Sequence, residues 1–269
     1  MANPEELIRQ GDIASALAAL QDVIRSNPGN AKHRVFLFQL LCLMGDWKRA
    51  VAQVRLAAEL DPAAIPMAQT YREAIICEVY REKVFAGEKD PLVLGEPQPW
   101  IALLVEANRL LAAGNSAQAA DLRDKAFEAA PTASGTLNDT PFEWIADADM
   151  RLGPILEVIV NGKYYWLPFD NIATISFDPP EDLRDLVWAP AMLSLPNEGR
   201  MAALVPTRYP GTTKTDDTAA LMSRATVWTD AGGETFVGTG QRILTTDTAE
   251  IPLLETKSIT LGSGGGADG

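Results

Sequence analysis

The segment GDIASALAALQDVIRSNP (11–28) is followed by a second of the same form, GDWKRAVAQVRLAAELDP (45–62). The two begin 34 residues apart. A third segment, GNSAQAADLRDKAFEAAP (114–131), keeps the same glycine-to-proline spacing. In all three an alanine follows five residues after the glycine. Three copies with one internal spacing indicate a repeated structural unit.

The chemistry of each copy predicts a pair of helices. The glycine permits a tight turn between the two helices. The alanine lies where they cross and keeps them close together. The proline cannot continue a helix, so it ends the second one. A 34-residue period of this kind is typical of tetratricopeptide repeats, and we expect a helical repeat domain over residues 1–133.

The third copy begins 69 residues after the second, close to two periods. Residues 66–86 predict one long helix, whereas DPLVLGEPQPW (90–100) has three prolines and predicts a loop up to Trp100. We interpret this region as a repeat whose second helix has been replaced by a loop.

Stacked helix pairs curve and leave a groove lined by the first helix of each pair, which can accept a helix or an extended peptide. The alternative is that the groove positions only pack against the long middle helix, and the sequence leaves both interpretations open. From the second and third pairs, the expected groove positions are Val35, Gln39, Cys42, Leu43, Leu104, Asn108 and Leu111.

The second half predicts strands. ILEVIV (155–160) and KYYWLPF (163–169) flank Asn161-Gly162, a hairpin signal, and further short apolar runs follow between turn residues. We expect a linker over residues 134–153, a small, bent β-rich domain over 154–260, and a flexible glycine-rich tail over 261–269. The fold class is therefore α+β.

Charge and composition restrict the partners. The formal charge is −13, which disfavours nucleic acid and anionic membranes. The N-terminus shows no secretory signal, and no apolar run is long enough to span a membrane, so we expect a cytoplasmic protein. The single histidine, His33, lies between two basic residues, which favours a solvated surface position. Cys42 and Cys77 are expected to be buried thiols.

Glu143, Asp147 and Asp149 form the strongest candidate for chemistry. Glu143 and Asp147 are four residues apart, so we expect them to share a helix face. Carboxylates at that spacing could hold a divalent metal, which makes a metal-dependent enzyme one alternative function. Charges at a helix end that bond to loops are the simpler interpretation. We find no nucleophile with a base beside it, so we expect no enzymatic activity and no cofactor. A structural homo-oligomer is another alternative.

Six stretches carry a resemblance to a known family, in the family's order: ICEVYREKVFAG (76–87), FEWIADADMRLGPILEV (142–158), NGKYYWLPFDNI (161–172), PPEDLRDLVWAPA (179–191), VPTRYPG (205–211) and GTGQRILTTD (238–247). Together they resemble the ImpE family, also called TagJ, of type VI secretion accessory proteins. Met150 stands where the family usually has serine. The resemblance implies a non-enzymatic adaptor that binds the small sheath subunit through that subunit's N-terminal helix.

Overall fold

A computed structural model describes residues 3–196 and 199–262. It confirms the predicted α+β class, with helices in the first half and mainly strands in the second. The helices are α1 (Pro4–Gln10), α2 (Ile13–Ser26), α3 (Ala31–Leu43), α4 (Trp47–Leu60), α5 (Ile65–Phe85), α6 (Pro99–Ala112), α7 (Ser116–Ala129) and the short α8 (Thr218–Leu221).

The three predicted helix pairs are α1–α2, α3–α4 and α6–α7. The glycine between the helices has a positive φ in every pair, +83° at Gly11, +73° at Gly45 and +82° at Gly114. The alanines at the helix crossings are buried at 0%, 0% and 2% exposure, in chain order Ala16, Ala50 and Ala119. Each second helix ends two residues before its proline. The local chemistry of the repeat therefore acts as predicted.

The broken repeat is also present. The long helix α5 occupies the place of a first helix. Every residue between Phe85 and Pro99 is described, and this stretch contains no helix, only the two-residue strand β1 (Leu92–Val93). The helix α5 therefore has no second helix of its own.

Short strands make up most of the second half. They are β2 (Gly135–Leu137), β3 (Thr140–Phe142), β4 (Ile145–Asp147), β5 (Ile155–Val160), β6 (Lys163–Pro168), β7 (Thr174–Phe177), β8 (Trp188–Ser194), β9 (Arg200–Pro206), β10 (Thr226–Asp230), β11 (Phe236–Gly240), β12 (Ile243–Thr246), β13 (Glu250–Pro252) and β14 (Ser258–Leu261). Eight of them join β1 of the first half in one nine-stranded sheet, in the order β1-β6-β5-β9-β8-β7-β14-β2-β3. Two small sheets, β13-β12-β4 and β10-β11, complete the half.

The hairpin predicted at Asn161-Gly162 joins β5 to β6. Both turn residues have positive φ, 50° and 69°, as a two-residue type I′ turn requires.

Two predicted boundaries are wrong. Residues 134–153, expected to be a linker, contain β2, β3 and β4, which are too short to show a clear alternation of apolar and polar residues. The tail boundary is wrong at residues 261 and 262, because Leu261 belongs to β14 and the Gly262 amide donates to the Ser134 carbonyl. Residues 263–269 lie outside the described part of the chain.

The two halves share a hydrophobic core. An aromatic chain crosses from the repeats to the sheet: Phe38 lies 5.9 Å from Tyr71, and Tyr71 lies 5.8 Å from Trp188, between ring centroids. Trp47 packs on Trp188 from the other side, at 6.0 Å. The side chains of Phe38 and Trp188 are fully buried. The repeats are therefore packed against the sheet and do not form a free-standing array.

Candidate functional site

The β-rich half covers the end of α3 where the predicted groove would open. Arg208 is buried there, and its Nη1 donates to the carbonyls of Leu43 at 2.7 Å and Leu221 at 2.8 Å. Burial lowers the pKa of the Arg208 guanidinium to about 10, and the nearby Glu78 carboxylate partly opposes this. Cys42 and Leu43, two predicted groove residues, have 0% exposure. They belong to the core and cannot contact a partner from this surface.

A buried ionic network joins α5 to the sheet. Arg81 donates to both carboxylate oxygens of Glu157, at 2.6 and 2.8 Å, and Arg242 contacts the same carboxylate. Burial alone would raise the pKa of Glu157, but the charges of Arg81 and Arg242 outweigh it and lower the pKa to about 2. Tyr164 donates to Glu157 as well. The carboxylate is thus fully partnered, which indicates a structural role.

The geometry expected of the acidic cluster is wrong. Asp147 lies at the end of β4 and is buried against Arg242, whereas Glu143 is exposed and precedes the strand, so the two do not share a helix face. Burial raises the pKa of Asp147 to about 6, against the opposing effect of Arg242. Asp149 is paired with Arg151 and also accepts from the Gly238 amide at 2.8 Å. Among the described residues, no three carboxylate, thiol or imidazole groups are placed to hold a metal ion.

The residues predicted from the third helix pair do not form a groove wall with those of the second pair. Leu104 is fully buried in the shared core. Asn108 is buried, and its side-chain amide donates to the Arg151 carbonyl at 2.8 Å. Leu111 is partly exposed near the end of α6. The structure therefore divides the seven predicted residues between core and surface.

Val35 and Gln39 do lie on a surface depression. It has a volume of about 670 Å³ and runs between α3 and the segment 180–186. Its walls also include Phe36 from α3, with Leu183 and Leu186 from the opposite side. Gln39 is mostly buried, while Val35, Phe36 and the two leucines are half-buried. The result is an apolar floor bounded by two different parts of the chain.

The rim of this depression is acidic. Glu5, Glu181 and Asp182 line it, against the basic Lys32 and the imidazole of His33. The segment that carries two of these acids is fixed locally, because the Asp185 carboxylate accepts from the backbone amides of Glu181 and Asp182 at 2.9 and 2.8 Å. The rim acids thus project from an ordered turn.

Leu183 and Leu186 were not predicted as site residues. They are 148 and more positions from Val35 in sequence, so no local pattern connects them. One feature of the sequence did single out this segment. PPEDLRDLVWAPA (179–191) is one of the six stretches that carry the family resemblance, although it contains no catalytic motif.

No helix in the described residues is both long enough and apolar enough to cross a membrane. Helix pairs that are covered on one side by a β-rich half define a tetratricopeptide-like repeat protein, and a surface depression lies between α3 and the segment 180–186 of the β-rich half. A tetratricopeptide repeat model matches residues 7–74, and the model described as ImpE protein matches residues 139–260.

The chain is also 49% identical, over 255 residues, to the type VI secretion system accessory component TagJ of Pseudomonas aeruginosa, covering 95% of this chain and 89% of TagJ. The chain belongs to the ImpE/TagJ family. The same fold occurs in the crystal structure of a Vibrio parahaemolyticus protein, with a TM-score of 0.87 and 24% identity, covering 96% of this chain and 97% of the other.

Proposed function

We propose that this protein is a non-enzymatic accessory component of a type VI secretion system, and that it binds the N-terminal helix of the small contractile-sheath subunit in the cytoplasm. The similarity to TagJ along nearly the whole chain supports the secretion role. The helical partner is what the family resemblance implies, and the scaffold architecture supports a binding function.

The depression between α3 and the segment 180–186 is the proposed seat for that helix. It retains Val35 and Gln39 from the predicted groove, and it has the apolar floor that the apolar face of an amphipathic helix needs. Its acidic rim favours a helix with basic flanking residues, by charge complementarity. The juxtaposition of α3 with a stretch characteristic of the family is the observation that carries this assignment.

Calorimetric titration with a synthetic peptide of the sheath subunit's N-terminal helix tests the partner. We expect a dissociation constant in the micromolar range, on the order of −8 kcal/mol, as for a modest helix-in-groove contact. If no heat is released at high peptide concentration, the proposed partner is wrong.

Charge reversal tests the seat separately from the partner. Glu5→Lys with Glu181→Lys should weaken peptide binding roughly tenfold, since both side chains are exposed at the rim. The matched control is Asp121→Lys with Glu128→Lys on α7, which changes the net charge equally at exposed positions away from the depression. Equal weakening in the two double variants would show that the helix binds elsewhere.

A further inference from the structure

A second surface on the repeats has the character of a helix-binding site. It is the trough between α4 and α5, with a volume of about 460 Å³. Val51, Val54 and Ala58 of α4 line one side, and Ile65 and Ala68 of α5 line the other. The two alanines keep the floor low, so a trough remains where larger side chains would fill the space between the helices.

The trough continues along α5 as a face that exposes apolar side chains. Ile65, Ile76 and Val79 share this face at helical spacing, with the basic Arg72 between Ile65 and Ile76. Ile76 is 52% exposed and Val79 40% exposed, so both present apolar surface to solvent. From Ile65 to Val79 this face is about 21 Å long at 1.5 Å per residue.

The architecture explains why this face is bare. In the three complete pairs the first helix packs on a second helix of the same pair. The helix α5 lacks one, because residues 86–98 form a loop and β1. A helix supplied by another protein would therefore cover apolar surface that the repeat pattern normally buries.

Charge indicates which helix fits. Arg55 and Arg72 flank the trough, and Lys48 lies one turn before Val51 on the same side of α4. The acid in the lining, Glu59, forms an exposed pair with Arg55 at 2.9 Å, so these two charges cancel. The net positive charge of the rim therefore comes from Arg72 and Lys48. This rim is basic on a protein whose net charge is −13, and it contrasts with the acidic rim of the depression beside α3.

We propose that the α4–α5 trough binds an amphipathic helix of a partner protein whose apolar stripe is flanked by aspartate or glutamate. This helix is distinct from the sheath-subunit helix, and the inference does not depend on the proposed function. A matched pair of peptides of about 18 residues, long enough to span the face from Ile65 to Val79, serves as the probe. Both peptides have leucine on one face, and the flanks are glutamate in one and lysine in the other.

Fluorescence anisotropy with labelled peptides gives the test. We expect the glutamate peptide to bind to the wild-type protein. The double variant Arg55→Glu, Arg72→Glu should bind the glutamate peptide roughly tenfold more weakly and the lysine peptide more tightly. Ile76→Ser should weaken the glutamate peptide without reversing the preference. Both arginines are exposed, so the variants should fold, and Arg9→Glu with Arg25→Glu on other exposed sites is the matched control.

Any of four outcomes would overturn the inference. Three of them are equal binding of the two peptides, no effect of the arginine changes, and self-association of the protein that Ile76→Ser abolishes. Loss of sheath-peptide binding in the arginine variant would also overturn it, because the trough would then be the seat of the first partner. Unchanged sheath-peptide binding in that variant supports two separate surfaces.

Discussion

Arg81 on α5 and Glu157 on β5 form a two-pronged ion pair, with Nε–Oε1 at 2.6 Å and Nη2–Oε2 at 2.8 Å, and neither side chain is more than 5% exposed. The pair joins the broken repeat to β5, the third of the nine strands in the order of the sheet. Arg81 also donates to the Arg208 carbonyl at 2.8 Å. The Arg81 guanidinium therefore bonds to a strand of the second half, through Glu157, and also to the segment that follows β9, through the Arg208 carbonyl.

Glu157→Gln should destabilise the protein at neutral pH by about 3–5 kcal/mol, because it leaves Arg81 and Arg242 without their shared carboxylate. The folded-state pKa of Glu157 is lowered from 4.5 to about 2. Its stabilising effect is thus fully present above about pH 4.5 and is lost as the pH falls toward 2. Urea unfolding of the variant and the wild type at pH 7 and pH 3 checks this, with the exposed Glu128→Gln as control. If the variant loses as much free energy of unfolding at pH 3 as at pH 7, the prediction is wrong.

Gly45→Ala should cost clearly more stability than Gly114→Ala. Both glycines have positive φ, so each change strains the backbone by about 1 kcal/mol. An added Cβ at Gly45 would also lie 2.6 Å from Thr213, whereas at Gly114 it would meet nothing within 4 Å. Thermal unfolding of the two variants measures the difference. If they unfold at the same temperature, Thr213 does not pack tightly on the turn.

Leu104→Ala and Leu111→Ala should lower the free energy of unfolding by very different amounts, although both residues lie on α6 and both are predicted groove positions. Leu104 is fully buried, so its truncation should cost about 2–5 kcal/mol. Leu111 is partly exposed, so its truncation should lower the free energy of unfolding by less than about 1 kcal/mol. Denaturant midpoints provide the comparison, and similar midpoints would mean that Leu104 is more accessible than the structure shows.

Neither cysteine should react with a thiol reagent in the native protein at pH 8. Cys42 and Cys77 are 0% and 3% exposed. Burial raises the pKa of both thiols, that of Cys77 to about 12, so almost no thiolate forms. In denaturant two thiols should react. Rapid reaction of one thiol without denaturant would show that the interface between the halves opens.

Binding of the sheath-subunit peptide should weaken as salt is added. The proposed seat has three acids at its rim, and exposed charges are screened over about 8 Å at physiological ionic strength. Titrations at low and high sodium chloride measure the effect. The Glu5→Lys, Glu181→Lys protein should show a smaller salt dependence than wild type, and an unchanged dependence would place the attraction elsewhere on the acidic surface.

The repeats could be predicted from sequence because their determinants are local. Gly11, Ala16 and Pro28 act within one helix pair, and the same spacing recurs. The network was not predicted, since Arg81 and Glu157 are 76 residues apart. One signal existed: Glu157 interrupts the apolar run ILEVIV (155–160), where a charge needs a partner.

The groove prediction was limited for a related reason. It treated the repeats as an array exposed to solvent. Leu43 and Leu104 would line an open surface in such an array, but here they lie in the shared core. Only contacts between distant parts of the chain decide this, and they are invisible in the spacing of a single repeat.

The shared core also sets the number of repeats. Repeat arrays usually lengthen or shorten by whole units, because each unit contacts only its neighbours. In this chain Arg208 bonds to the end of α3 while Glu157 bonds to α5, so the β-rich half spans a fixed distance across the stack. An extra helix pair inserted between α4 and α5 would separate these contacts by about 10 Å per helix. Repeat proteins ordinarily diversify by duplication or loss of a whole unit. In this chain such a change would break the contacts between the stack and the sheet unless the sheet changed as well.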